Sequence, residues 1–135
     1  GRLKALQEPE DMNLPFQTLS QNYFNREEGA KRLILRDKEN IYVLMVDEIV
    51  RLEGEGSYTT VFTRDGQKLV VSKNLKTYEK MLTDKGFFRP HTSHLINLAY
   101  LRKVSKKDGV MIVMADDSEI PLARRRKEEL FRLLG

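Results

Sequence analysis

Phe87-Phe88-Arg89-Pro90-His91-Thr92-Ser93-His94-Leu95-Ile96-Asn97 is the stretch on which the reading of this chain turns. It gathers two aromatics, a cation, both histidines of the protein, two hydroxyls and an amide. Apolar pairs bracket it, Phe87/Phe88 before and Leu95/Ile96 after, so the polar residues between them are held on a fixed surface. Two chemistries come to mind first, and both fail. His91 and His94 lie three apart, and in extended chain an odd separation sends side chains to opposite faces unless a turn intervenes. With no cysteine, no further histidine and no adjacent carboxylate, a third ligand is missing and no metal site is expected. Ser93 stands near His91, but no orienting carboxylate and no glycine-rich nucleophile turn accompany them, so no enzyme is expected either.

Outward from this stretch, the 135 residues make one domain plus an extension, long enough for a real core. Hydrophobic content is 40% and charged content 33%. No apolar run approaches the roughly 18 residues of a membrane span, and no apolar segment of a signal peptide follows Gly1-Arg2-Leu3-Lys4. A start at Gly rather than Met reads as an excised fragment or a tag remnant. The absence of cysteine fits a reducing, cytoplasmic setting. Charge is unevenly spread. Residues 1–30 carry three cations and five anions, net −2, while residues 31–135 carry 21 cations and 15 anions, net +6. A basic domain behind an acidic leader points to a polyanionic partner.

Residues 1–30, with Pro9, Pro15 and weak periodicity, read as an interdomain linker or arm, and the folded domain as 31–135. Leu33 to Arg36 reads as a strand, and Ile41 to Val46, apolar throughout, as a strand covered on both faces. Ile49 to Glu53 resumes extended structure before a Gly54-Glu55-Gly56 loop. Tyr58, Thr60 and Phe62 alternate with Thr59, Val61 and Thr63 as a half-buried strand. Asp65-Gly66 signals a two-residue hairpin returning through Lys68 to Val71. A helix over about residues 74–84, capped by Ser72, shows Leu75, Tyr78, Met81 and Leu82 as its apolar stripe. Strands follow at 100–104 and 110–114 across a Lys107-Asp108-Gly109 turn, then a short one at 119–122, where Pro121 marks an edge. A second helix runs from Arg124 to Leu134 with Leu130, Phe131, Leu133 and Leu134 apolar. The fold class is mainly β, antiparallel, with two short helices.

Lys73, Lys76 and Lys80 are explained as the solvated face of the first helix. Arg102, Lys103, Lys106 and Lys107 form a denser cluster at a strand end. Arg124-Arg125-Arg126-Lys127 is denser still and opens a helix, where cations oppose the macrodipole at a few tenths of a kcal/mol each. Phosphate is the natural counter-ion there, because free helical N–H groups favour it too.

These residues together carry a family likeness. Leu52-Glu53-Gly54-Glu55-Gly56-Ser57-Tyr58-Thr59, Leu75, Phe88-Arg89-Pro90-His91-Thr92-Ser93, Ile96-Asn97-Leu98 and Ile120-Pro121-Leu122-Ala123-Arg124-Arg125 follow one another as in a LytTR DNA-binding domain. The chain from about residue 31 to 134 resembles this output module of LytR/AlgR-type bacterial response regulators. The resemblance implies an elongated arrangement of small antiparallel β-sheets. It implies loops that enter two successive major grooves on one side of bent double-stranded DNA, at promoter direct repeats, with a dimer on the DNA. It implies a receiver domain before residue 1, phosphorylated on aspartate by a histidine kinase, and no cofactor. Carried over by position, base contacts fall to Tyr58, Thr59, Thr92 and Arg125. Backbone contacts fall to Arg89, His91, Ser93, Arg102, Lys103, Arg124 and Arg126. Thr92 stands where other members carry a longer polar or basic residue; its hydroxyl suits a phosphate and its methyl a thymine methyl. Ala123 replaces a common serine and removes a helix cap. The rival reading is a basic β-rich interaction domain that meets an acidic protein.

Overall fold

The computed structural model describes residues 31–135. The linker reading of residues 1–30 lies outside the described residues. By contact density the chain divides into a small unit, 31–34 with 43–46, and a large one, 35–42 with 47–135. Strands β1 (Arg32–Arg36) and β2 (Ile41–Met45) pair in a two-stranded sheet. Asp37 shapes the turn between them by accepting the main-chain N–H groups of Glu39 and Asn40. The expectation that β2 is covered on both faces is corrected: Ile41 is 62% and Val43 56% exposed, while Leu44 is buried. A two-stranded ribbon covers one face of an apolar strand and leaves the alternate side chains in water.

Five strands form the main sheet: β3 (Ile49–Glu55), β4 (Tyr58–Thr63), β5 (Lys68–Val71), β6 (Phe87–His91) and β7 (His94–Asn97), in the order β5-β4-β3-β7-β6. β3 and β4 meet at a two-residue turn, Gly56-Ser57, with Glu55 opposite Tyr58. Gly54 and Glu55 therefore belong to the strand, not to the expected loop. Gly56 supplies the turn's positive φ of 62°. Asp65-Gly66 sits in a four-residue connection rather than a two-residue one, because the Thr63 hydroxyl closes it early, bonded to Asp65 and to the Gln67 N–H.

Helix α1 (Leu75–Leu82) is capped by Asn74, whose Oδ1 accepts from the Thr77 N–H and hydroxyl, so the cap expected at Ser72 is corrected. Leu75, Tyr78 and Leu82 are buried, but Met81 is 45% exposed, since its position turns away from the sheet. Gly54 faces α1 so closely that an added Cβ would lie 2.9 Å from Leu75 Cβ. The helix ends through Thr83–Lys85 at Gly86, left-handed at φ 85°.

A second sheet holds β8 (Leu101–Ser105), β9 (Met111–Met114) and β10 (Glu119–Pro121), with β10 and its proline at the edge, as expected. One 3₁₀ turn, Arg124–Arg126, leads into α2 (Lys127–Leu134). Of its apolar residues Leu130 is fully buried, whereas Leu133 and Leu134 are about half exposed. Leu130 joins Val50, Phe88, Ile96, Ile112, Met114 and Ile120 in the core that binds the two sheets and α2. Each such side chain contributes about 1.5–3 kcal/mol on burial. Asn97 fixes the end of β7 from inside, with Nδ2 donating to the Ile49 carbonyl at 2.9 Å.

Candidate nucleic-acid interface

The opening stretch is a hairpin: β6, the turn Thr92-Ser93, and β7. Its register runs Phe88 opposite Ile96 and then His91 opposite His94, which leaves one extra residue in the Arg89-Pro90 region of β6. This is a β-bulge, and bulges bend a strand and re-aim its side chains. Proline is at home there because it has no N–H to lose. The turn also brings the histidines together, ring centroids 5.5 Å apart, which is the exception the three-residue spacing allows. Among the described residues no group of three or more His, Cys, Asp or Glu is arranged for a metal ion.

The bulge leaves two carbonyls for the start of α2. Pro90 O accepts from the Ala123 N–H at 2.8 Å, and Arg89 O from Arg126 Nε at 2.9 Å. The Arg126 guanidinium also lies over the Phe88 ring, 4.8 Å from its centroid, and pairs with Glu129 at 2.6 Å. Arg126, carried over as a backbone contact, also braces the start of α2 internally. Arg89 is tied in the same way. Its guanidinium pairs with Glu79 of α1 at 2.5 Å and donates to Thr92 O at 2.6 Å and to His91 O at 3.3 Å. A planar fork with this many matched acceptors is held in place. Thr59 lies deeper. It is wholly buried, and its hydroxyl donates to Lys73 O at 2.7 Å.

The other expected residues stand differently. Thr92 and Arg125 are exposed, and both line a cleft of about 240 Å³ with Glu79, Arg89, His91 and Arg126. His91 Nδ1 accepts from the Ser93 N–H at 3.1 Å, which places the neutral ring's proton on Nε2, a donor. Ser93 in turn gives its carbonyl to the Gly54 N–H at 2.8 Å, tying the turn to β3. Tyr58 is 56% exposed beside the Gly56-Ser57 turn. No ion pair or hydrogen bond to another described residue engages the side chains of Arg124, Arg125 or Lys103. Arg102, half exposed, pairs with Asp117, which takes a left-handed φ of 69°.

Sequence reasoning missed two residues here. Glu79 was hidden as one polar residue of an amphipathic helix. His94 is partly buried opposite Glu53, and its Nδ1 has no partner. Desolvation pushes its pKa down, opposed by Glu53 and assisted by His91 and Arg51. The cleft can hold an anionic, hydrogen-bonding ligand: three guanidinium groups face one carboxylate, and the walls carry donors rather than apolar surface.

The fold, the braced hairpin and the basic helix start define a class, that of DNA-binding domains. Residues 27–135 match the family model of the LytTr DNA-binding domain, and the chain belongs to this LytTR family. Among its relatives is the heme-containing CO-sensing transcriptional regulator RcoM 1 of Paraburkholderia xenovorans, 35% identical over 101 residues, 73% of this chain and 38% of that protein. Another is the sensory transduction protein LytT of Bacillus subtilis, 30% identical over 112 residues, 82% of this chain and 46% of that one. The chain spans less than half the length of these curated relatives. In fold it is similar to a LytTr DNA-binding domain from Bacillus cereus, with TM-score 0.66 and 17% identity over 78% of this chain and 97% of that one. No helix among the described residues is long and apolar enough to cross a membrane.

Proposed function

We propose that this chain binds double-stranded DNA sequence-specifically, as the output domain of a cytoplasmic two-component response regulator that controls transcription. The observation that carries the reading is the cleft in which exposed Thr92 and Arg125 stand on a framework braced by Arg89 and Arg126. Arg125 donates bidentately to a guanine, Thr92 meets a base edge or a thymine methyl, and Tyr58 reads from the β3–β4 turn. Arg124, Lys103, Arg102, His91 Nε2 and Ser93 neutralise or bond phosphates and set the register. The operator is a pair of direct repeats, bound by a dimer and bent; circular-permutation gel shifts that show no bend would remove that part.

The test begins with selection of bound duplexes from a random library. Arg125→Ala is then expected to cost about 1–3 kcal/mol and relax preference at one base position. A uniform loss over all sequences would make Arg125 a phosphate contact instead. If no duplex is bound at low salt, the domain meets an acidic protein partner.

The input is proposed to be a receiver domain in the full-length protein, phosphorylated by a histidine kinase; the likeness to LytT supports this. Likeness to RcoM favours a second input, a heme-based sensor. Phosphotransfer to the full-length protein, against a heme absorption band in it, separates the two.

A further inference from the structure

We propose that Glu79, on α1, is a positioning residue for the Thr92-Ser93 turn: through Arg89 it fixes the DNA-reading turn before DNA arrives. The inference rests on the DNA-binding reading above and deepens it. Asn74 sets the start of α1, and the stripe Leu75, Tyr78 and Leu82 seats it, which brings Glu79 to the helix edge nearest β6. There Glu79 Oε1 receives Arg89 Nη1 at 2.5 Å, with the two side chains 35% and 21% exposed. Nη2 and Nε of the same guanidinium reach the carbonyls of Thr92 and His91. One carboxylate thereby orients a fork that grips two consecutive carbonyls of the turn. Without it Arg89 keeps its charge but loses the anchor on α1, and the turn must be ordered when DNA binds. Side-chain and loop ordering is a cost that preorganised interfaces avoid.

Simple electrostatics predicts the opposite sign. Glu79 is the one carboxylate among the cleft-lining residues, beside Arg89, Arg125 and Arg126, so its removal should strengthen attraction to phosphates. The experiment uses the 135-residue chain, the duplex it selects from a random library, and a scrambled duplex of equal length. Glu79→Ala is expected to bind the selected duplex about tenfold more weakly, with a change of less than about twofold on the scrambled one. Glu79→Gln keeps an acceptor oxygen for Arg89 and should recover most of the discrimination. In the absence of DNA, backbone ¹⁵N order parameters at Thr92 and Ser93 should fall in Glu79→Ala and hold in Glu79→Gln. Unchanged or tighter binding by Glu79→Ala overturns the proposal. So does an equal loss on both duplexes without rescue by Gln, which marks a merely structural pair. If the wild-type chain selects no duplex, the DNA-binding reading fails, and the order parameters alone decide whether Glu79 braces the turn.

Discussion

His94 shows how one side chain ties the interface to the stability of the fold. It sits partly buried at the base of the turn, Nδ1 unpartnered, with His91 across the hairpin and Glu53 across β3. Burial lowers its folded pKa below the ordinary value of about 6.5. The unfolded chain therefore takes up the proton first, and stability is full above pH ~6.5 and declines as pH falls toward the folded pKa. Melting temperatures measured from pH 7.5 down to 5 should fall, and His94→Gln should flatten that fall. A wild-type melting temperature that rises on acidification would show Glu53 to outweigh burial. Arg89 teaches a related lesson. Its position in the motif was legible as functional, but the sequence did not show that its side chain holds the turn's carbonyls.

At the scale of elements, the site depends on how closely α1 and α2 approach the hairpin. Gly54 permits the first approach, because an added Cβ would stand 2.9 Å from Leu75 Cβ, a helix atom that cannot swing aside. Gly54→Ala should destabilise the domain by about 1–3 kcal/mol, read as a lower urea midpoint with unchanged slope. An unchanged midpoint would mean that α1 slides on the sheet without cost. The second approach relies on main-chain and guanidinium bonds to the bulge carbonyls, while neither Ala123, before the 3₁₀ turn, nor Arg126, before α2, supplies a side-chain cap. Arg126 is matched there by Glu129, while Arg124 and Arg125 oppose the macrodipole with no such partner among the described residues, which suits the proposed DNA contact.

For the whole molecule, the proposed function has charge supply affinity and the braced turn selectivity. The described residues carry the basic excess of a chain with net charge +4. Lys103, exposed on β8 and without an ion pair among the described residues, should act through that excess alone. Lys103→Ala is expected to weaken selected and scrambled duplexes alike and to reduce the slope of log K against log salt by roughly one unit. A full slope in the variant would place β8 away from the duplex. The two sheets share a core through Phe88, Ile96, Ile112, Met114 and Leu130, so the hairpin and the basic helix start are carried on one packed body.

The sequence by itself determined the antiparallel β character, the two helices, the edge at Pro121 and the place of the hairpin, because period-2 alternation, turn residues and helical stripes are local signals. It also located the exposed cations, since Arg124, Arg125 and Lys103 need no partner to be where they are. Only the tertiary structure decided that His91 and His94 converge, that Asn74 caps α1, that Thr59 lies inside and that Arg89 and Arg126 are braces. Each of these depends on a one-residue bulge or on an acceptor tens of residues away, such as the Arg89 carbonyl that takes Arg126 Nε. A chain read in order has no access to which donor meets which acceptor. That pairing follows from three-dimensional packing, and it shows which arginines brace the site and which stand exposed.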